Sequence, residues 1–323
     1  MLELTDLILT PLQAPTDPSK RLFWMFLFSS LVMASLAVTW RRGQFEWRRQ
    51  LSSLFSPRYW LHRSNTTDVS LLLINHTLHV LLLVPLLGSH LAGAVVVGSV
   101  LQTQLGDAPV LPGSTLMVGI AYTVIFFLME DLSRFSLHAA FHRIPFLWRF
   151  HRTHHSATNL TPLTVHRVHP LESCAYFFRG FLVFSLVSGV FLYLFKGRLN
   201  GIDILGVDCL AFLFNFFGAN LRHTPIWLGF GALERLFISP AQHQIHHSAL
   251  SQHHGKNLGS CLSVWDRLCG TWLASGRYQK LEFGLGANKK SSPRHHFDAE
   301  HIPHSMSKRR KWVALQEIGY RIG

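Results

Sequence analysis

Charged residues are scarce in this chain, and acidic residues are the scarcer kind. Only 15% of the 323 residues are charged, whereas 48% are hydrophobic. An average soluble domain is about one-quarter charged, so this composition excludes an ordinary soluble protein. Cysteine is rare as well: the four cysteines form no CxxC pair, which excludes a paired-cysteine metal knuckle. The composition therefore favours a membrane protein.

Long apolar stretches recur along the chain. A helix needs about 20 apolar residues to cross a hydrocarbon layer of about 30 Å. Such stretches lie at 22–40, 69–100, 114–130, 171–195 and 203–219. They predict an all-α integral membrane protein with four to five transmembrane helices. The stretch 69–100 is too long for one ordinary span, and the sequence leaves open whether it forms one tilted helix plus a re-entrant turn.

The basic residues are concentrated in particular loops. Segment 41–64 contains six arginines, whereas 101–113 contains no Lys or Arg, and 14 of the 30 basic residues follow residue 220. Cytoplasmic loops are enriched in Lys and Arg. We therefore predict that 41–64 and the region after 220 are cytoplasmic, and that 101–113 and a tight hairpin at 196–200 face the other side. This placement explains the net charge of +13 without a nucleic-acid partner.

Thirteen of the 21 histidines lie between residues 138 and 254, and most of them form three tight groups. The groups are His138 and His142; His151, His154 and His155; and His243, His246 and His247. Residues three or four apart lie on one face of a helix, so each group is predicted to point its imidazoles to one side. With the lone His223, nine imidazoles are predicted to converge on one place.

Nine imidazoles are too many for one metal ion, because a tetrahedral zinc takes four ligands. The sequence therefore predicts two ions. Imidazole suits zinc, copper, iron and nickel, so the ligand type alone does not choose the metal. Isolated histidines in apolar stretches, such as His76, His79 and His90, are interpreted instead as hydrogen-bonded core residues.

The order and spacing of these motifs resemble those of the fatty acid hydroxylase and sterol desaturase superfamily, whose members are membrane-bound histidine-box di-iron oxygenases. The resemblance covers about residues 65–272. It is carried by the segments Asp131–His142, Leu147–Ser156, Arg167–Glu172, Arg222–Thr224, Ser239–Ser248, Lys256–Gly259 and Trp265–Thr271.

The resemblance implies two iron ions, with dioxygen as co-substrate. The implied ligands are His138, His142, His151, His154, His155, His223, His243, His246 and His247. His169 and His253 match further recurrent histidines of the family, either as ligands or as partners of ligands. Asp131, Glu172 and Asp266 are interpreted as groups that orient ligands, because a metal-bound histidine usually donates its other ring N–H to a carboxylate or carbonyl. A salt bridge to a nearby arginine is the alternative for each of them.

The implied reaction is hydroxylation of a C–H bond in a lipid, such as a fatty acyl chain or a sterol, and desaturation of the same lipid class is the alternative. The heme-binding carrier domain of some family members is not found here, so we expect a separate electron-donor protein. A cytoplasmic helical cap is predicted to carry the histidine boxes. The membrane is then the bacterial inner membrane, or the endoplasmic reticulum in a eukaryote.

Three regions are predicted. Residues 1–64 form an N-terminal membrane anchor and a basic cytoplasmic loop, residues 65–275 the catalytic membrane domain, and residues 276–323 a basic cytoplasmic tail.

Two other classes of protein compete with an oxygenase. A zinc metallohydrolase of the His-Glu-x-x-His type needs a glutamate between its ligands, and no histidine group here contains a carboxylate. A metal transporter needs ionisable residues threaded through its spans, whereas these groups lie at span ends and beyond. Both alternatives therefore remain remote.

Overall fold

The computed structural model describes residues 13–109, 111, 113–195, 201–204 and 207–286. The helices within them are α1 (Trp24–Arg42), α2 (Trp47–Leu54), α3 (Pro57–Trp60), α4 (Arg63–Leu78), a π-helix (His79–Leu83), α5 (Val84–Leu87), α6 (His90–Leu105), α7 (Thr115–Arg143), α8 (Pro145–His155), α9 (Pro170–Phe195), α10 (Cys209–Phe216), α11 (Pro240–His246) and α12 (Val264–Cys269). Single 3₁₀ turns lie at Pro162–His166, Ala219–His223, Gly231–Arg235 and Ser251–His253. Two short strands, β1 (Asp203–Ile204) and β2 (Val207–Asp208), pair antiparallel.

Among the described residues, four helical segments are long and apolar enough to cross a membrane. They are Trp24–Arg42, Arg63–Leu105, Thr115–Arg143 and Pro170–Phe195. The prediction of an all-α membrane protein with four to five spans is confirmed, with four. The fifth apolar stretch, 203–219, contains the strand pair and the eight-residue α10, which is too short to cross a bilayer. The predicted hairpin at 196–200 and the tail beyond residue 286 lie outside the described residues.

The long apolar region Arg63–Leu105 is interrupted for identifiable reasons. Pro85 has no backbone N–H, and its ring would clash with the carbonyl four residues earlier in a regular helix. Just before Pro85, the α-helix widens into the π-helix His79–Leu83. Gly88, at φ 76°, ends α5, and the Ser89 side chain caps the start of α6. The architecture that the sequence left open is therefore two helical pieces joined by a turn.

Both pieces follow α9 in the same direction. The His79 ring lies 3.0 Å from the Ser173 hydroxyl near the start of α9. Further along, a Cβ placed on Gly189 would lie 2.5 Å from the Cβ of Val97 on α6. Small residues at such crossings allow the backbones of membrane helices to pack closely.

Helix α7 runs antiparallel to α9. Tyr122 contacts Ser188 at 2.9 Å, and Arg179 forms a 2.7 Å ion pair with Glu130 further along α7. The C-terminal end of α7 and the N-terminal end of α9 consequently lie at the same end of the bundle. The histidine groups are found at this end.

The N-terminal helix α1 packs against the chain that returns towards the histidines. Phe26 and Phe212 meet edge to face with centroids 5.0 Å apart. Ser29 donates a hydrogen bond to the carbonyl of Phe216 at 2.8 Å. Helix α1 thus supports α10 and the turn that follows it.

Candidate metal centre

The first two histidine groups lie on α7 and α8, which follow one another almost directly. Pro145 begins α8, a position at which its missing N–H is not needed. His138 and His142 are one turn apart on α7, with ring centroids 4.9 Å apart. His151 and His155 are related in the same way on α8, also at 4.9 Å. The predicted helical spacing is confirmed for both groups.

The third group lies on α11, whose start is fixed by a capping box. Ser239 accepts from the backbone N–H of Gln242 at 3.1 Å, and the Gln242 side chain accepts from that of Ser239 at 3.0 Å. These bonds satisfy amides that a helix start would otherwise leave unpaired. His243 and His246 follow within α11, and His247 is its C-terminal cap.

The nine predicted ligands assemble into two compact groups. The five-histidine group consists of His138, His142, His151, His155 and His246, and the four-histidine group consists of His154, His223, His243 and His247. Within each group, one ring nitrogen from every histidine lies within 4.8 Å of those of the others. Eight of the nine rings are buried, and His142 is partly buried.

Each histidine triplet is divided between the two groups. On α8, the pair His151 and His155 joins the five-histidine group, whereas His154 joins the four-histidine group. On α11 the division is reversed, because His246 alone joins the five-histidine group. The two groups adjoin, and the rings of His155 and His247 stack with centroids 4.6 Å apart. The prediction that each triplet points its imidazoles to one side is therefore wrong, because each triplet contributes to two neighbouring groups.

Backbone carbonyls fix the protonation of three of these rings. The pairs are His138 Nδ1 with the Leu258 carbonyl at 2.7 Å, His154 Nδ1 with the Arg167 carbonyl at 3.2 Å, and His246 Nδ1 with the Lys256 carbonyl at 2.9 Å. A carbonyl oxygen only accepts, so each Nδ1 must carry the proton. In a neutral ring, Nε2 then presents a bare lone pair.

Ring nitrogens of the five-histidine group face one another. His138 Nε2 lies 3.1 Å from His151 Nε2. The Nε2 atoms of His142 and His246 are buried and have no hydrogen-bond partner within the described part of the chain. An unsatisfied buried acceptor costs about 1–3 kcal/mol, a loss that a bound cation removes. The donor set therefore fits metal ions.

Burial keeps the imidazoles neutral. Loss of solvation lowers the pKa of His154 to about 3 and holds the pKa values of His223, His246 and His247 well below the ordinary value of 6.5. Nearby arginines lower the pKa values of His154, His223 and His246 further. At neutral pH these rings are in the form that binds metal, since a ligating histidine must be unprotonated.

Of the three predicted orienting carboxylates, Glu172 contacts an imidazole. Its Oε1 lies 2.7 Å from His151 Nδ1, and both side chains are buried. With Nδ1–H of His151 donating to this oxygen, His151 Nε2 is free to face the other nitrogens of its group. This contact fits the role expected of a partner of a metal ligand.

Asp131 and Asp266 instead hold the backbone segment 256–265. Asp131 accepts from the amide of Cys261 at 2.8 Å and from the indole of Trp265 at 2.9 Å. Asp266 accepts from the amide of Leu258 at 2.8 Å. Burial raises the pKa of Asp266, although the hydrogen bonds that it accepts from Thr271 and from the amides of Leu258 and Gly259 oppose the rise. Both carboxylates thus fix a segment whose carbonyls accept from two imidazoles.

Two further predicted histidines lie outside both groups. His169 Nδ1 accepts from the amide of Leu171 at the start of α9, at 3.2 Å. His253 is buried, and its Nδ1 has no partner among the residues that the structure describes. Their predicted role as ligands or ligand partners stays a prediction.

A buried ion pair near the centre was not anticipated from the sequence. The Arg167 guanidinium pairs with Asp68 at 3.0 Å and also donates to the Ser64 hydroxyl and the Thr153 carbonyl, at 2.7 and 3.2 Å. The carbonyl of the same arginine accepts from His154. The available signal was a lone acidic residue inside an apolar stretch. The pair fixes the end of α8 against α4.

Comparison with known proteins agrees with this geometry. Residues 123–271 match the family described as fatty acid hydroxylase. The ornithine lipid hydroxylase OlsE of Rhizobium tropici is 26% identical over 163 residues, covering 50% of this chain and 45% of that protein. Human alkylglycerol monooxygenase is 25% identical over 159 residues, covering 49% of this chain and 32% of that protein. The chain thus spans less than half the length of these relatives. No solved structure matches it.

The fold and the site define a helical membrane protein with paired polyhistidine groups at one end of its bundle. The matches support the resemblance to the fatty acid hydroxylase superfamily that the histidine motifs predicted.

Proposed function

We propose that the protein is a membrane-bound di-iron oxygenase that hydroxylates a C–H bond of a lipid. The observation that carries this proposal is the assembly of nine neutral imidazoles into two adjoining groups of five and four. Two relatives support a lipid substrate, since their names describe an ornithine lipid hydroxylase and an alkylglycerol monooxygenase. Both names denote oxygen insertion, which favours hydroxylation over desaturation.

The number of donors supports iron over zinc. Zinc sites in proteins are almost always four-coordinate, and a catalytic zinc keeps one of those positions open. Five imidazoles in one group exceed that number, whereas iron accepts larger coordination numbers and also binds imidazole. We assign one iron ion to each group. When bound, these ions supply the activation of dioxygen that the side chains cannot provide.

The residues of the chain would bind the metal ions, and their hydrogen-bond partners orient the imidazoles. Glu172 holds His151, and the carbonyls of segment 256–265 and of Arg167 hold three further rings. Such partners fix the tautomer and the direction of a ligand before the metal binds. The burial of the rings excludes bulk water from the site. The reaction also needs two electrons per turnover, which a separate electron-donor protein supplies in this proposal.

The orientation in the membrane follows from charge. Segment 41–64 contains six arginines and segment 101–113 contains none. By the positive-inside bias, this difference supports a cytoplasmic location for segment 41–64. The histidine end of the bundle lies on the same side in this proposal. The predicted regions 1–64, 65–275 and 276–323 are retained as an anchor with its basic loop, a catalytic domain and a basic tail.

Comparative lipid mass spectrometry tests the function. Cells producing the wild-type protein are compared with cells producing His155→Ala or His247→Ala, one variant for each group. His254→Ala, which changes an exposed histidine outside both groups, is the matched control, and all four proteins are first compared for their amount in the membrane.

We expect a lipid that gains one oxygen in the wild type and in the control and is absent in both group variants. A lipid that instead loses two hydrogens would show a desaturase. Unchanged lipids in all four strains would refute the proposal.

A further inference from the structure

A cavity of about 440 Å³ is lined in part by residues close in sequence to His223. Helices α1 and α2 form one side of it, and the segment 220–226 forms part of the other. Most lining side chains are apolar, and Leu27, Leu31 and Val38 of α1 are among them. The volume is within the range of small-molecule sites, about 300–1,000 Å³.

Polar contacts hold the two helices that form the cavity. Gln50 on α2 donates to the Thr39 hydroxyl at 3.2 Å and accepts from the hydroxyl of Ser35. Glu46, just before α2, pairs with Arg42 at 3.2 Å and with Arg49 at 3.1 Å. The cavity wall is therefore built by specific contacts between neighbouring segments.

Positive charge lines part of the cavity. Arg41, Arg42 and Arg49 are lining residues, and no Asp or Glu occurs among the described residues that line it. Glu46 offsets one of the three charges, and Arg41 also lies over the ring of Tyr278 at 4.4 Å. Three arginines thus lie beside an apolar volume. This combination is complementary to a molecule with a hydrocarbon chain and an anionic headgroup.

A buried polar atom in the wall also indicates a ligand. Ser30 lines the cavity and is 6% exposed, and its hydroxyl has no hydrogen-bond partner within the described residues. An isolated hydroxyl in an apolar wall is unfavourable unless a bound molecule supplies a polar atom. A lipid ester or ether oxygen has that chemistry.

The lining of the cavity includes part of the segment that carries His223 of the four-histidine group. Leu221 and Thr224 belong to its lining and lie two residues before and one residue after His223. The His223 Nε2 atom lies 3.1 Å from His247 Nε2 in that group. A chain lying in the cavity therefore rests against the segment that carries a metal-site histidine.

We propose that this cavity binds the substrate, a lipid whose hydrocarbon chain fills the apolar volume and whose phosphate or carboxylate headgroup pairs with Arg41, Arg42 and Arg49. The proposal rests on the function proposed above, and it adds the class of lipid and the place of binding. Bidentate pairing of arginine with phosphate or carboxylate gives the required headgroup recognition.

Binding to the metal-free full-length protein in detergent tests this proposal separately from catalysis. Three probes share one acyl chain: a lysophosphatidic acid, the free fatty acid and an uncharged monoacylglycerol. We expect at least one anionic probe to bind about tenfold more tightly than the uncharged probe, because hydrogen bonds to charged groups are the stronger ones. Comparison of the two anionic probes identifies the headgroup. Equal affinities for all three probes would overturn the proposal.

Variants then locate the site. The triple variant Arg41→Gln, Arg42→Gln and Arg49→Gln is expected to lose the tenfold preference. The matched control, Arg48→Gln with Arg58→Gln, changes arginines of the same basic segment that do not line the cavity, and it is expected to keep the preference. A preference that persists in the triple variant, or that disappears equally in the control, would contradict the assignment.

Blocking the cavity separates the two proposals. Ala34 lines the cavity, and Ala34→Trp is expected to weaken binding of every probe at least tenfold while the thermal unfolding temperature stays near that of the wild type. Hydroxylation by iron-loaded Ala34→Trp at the wild-type rate would refute the cavity as substrate site and leave the proposed function standing. Specific anionic binding by a wild-type protein that hydroxylates no lipid would refute the function alone.

Discussion

The Glu172→Gln substitution gives the sharpest test of how the protein prepares its metal site. Glu172 is 1% exposed, and its carboxylate lies 2.7 Å from His151 Nδ1. Glutamine has nearly the same shape and still offers a carbonyl oxygen to that N–H, but it carries no charge. The substitution therefore removes the electrostatic support of the imidazole while disturbing the packing little.

The expected loss follows from that change. Replacing a hydrogen-bond partner of a metal-bound histidine typically lowers metal affinity 10- to 100-fold, about 1.4 to 2.7 kcal/mol. Because the glutamine oxygen can still accept, we expect the lower part of this range, about tenfold. The loss should fall on the five-histidine group, to which His151 belongs. The four-histidine group should keep its affinity.

The assay is an anaerobic titration of metal-free protein with ferrous iron against a competing chelator. Glu234→Gln is the matched control, since Glu234 is also a buried carboxylate but accepts from Ser239 and Ser275 rather than from an imidazole. We expect two iron-binding steps in the wild type and the same two affinities in this control. In Glu172→Gln we again expect two steps, of which one is about tenfold weaker and the other is unchanged. Equal weakening in both variants, or of both steps in Glu172→Gln, would refute the reasoning.

Three further predictions concern stability. Asp68→Ala leaves the buried Arg167 unpaired and should destabilise the protein by about 3–5 kcal/mol in denaturant titrations in detergent, whereas Asp68→Leu with Arg167→Met should recover most of the loss. In the metal-free protein, the pKa values of the buried histidines are lowered, so below about pH 6.5 the unfolded chain binds more protons than the folded protein does. Stability should therefore fall as the pH drops through about 6.5. A melting temperature that is independent of pH from 7 to 5 would contradict this. Gly189→Leu should clash with Val97 and reduce the yield of folded protein measured by size-exclusion chromatography. Gly180→Ala should be tolerated in the same assay, because a Cβ at this position would lie 3.8 Å from His90 Nε2, an ordinary contact distance.

The parts of the structure that depend on local periodicity were predictable from the sequence. The spacing of His138 and His142 places both on one helical face, and the apolar run before them predicts the span from which that helix continues. The pair His151 and His155 follows the same rule. These local rules therefore account for the helices that carry the first two histidine groups.

The division of the histidines into two groups depends on tertiary contacts instead. A triplet with spacings of three and four does not reveal that His154 turns away from its neighbours, because the partners of each ring come from other segments. The carbonyls of Leu258 and Lys256 are an example, since a backbone acceptor leaves no signature in residue type.

The most direct test of the central claim is the origin of the oxygen in the product. Purified iron-loaded protein is supplied with its lipid substrate, a reductant and oxygen-18 dioxygen in ordinary water, and the product is examined by mass spectrometry. The account predicts that the new hydroxyl oxygen is oxygen-18 and that no product forms without dioxygen. A product that carries oxygen from water, or that forms equally well under anaerobic conditions, would contradict it.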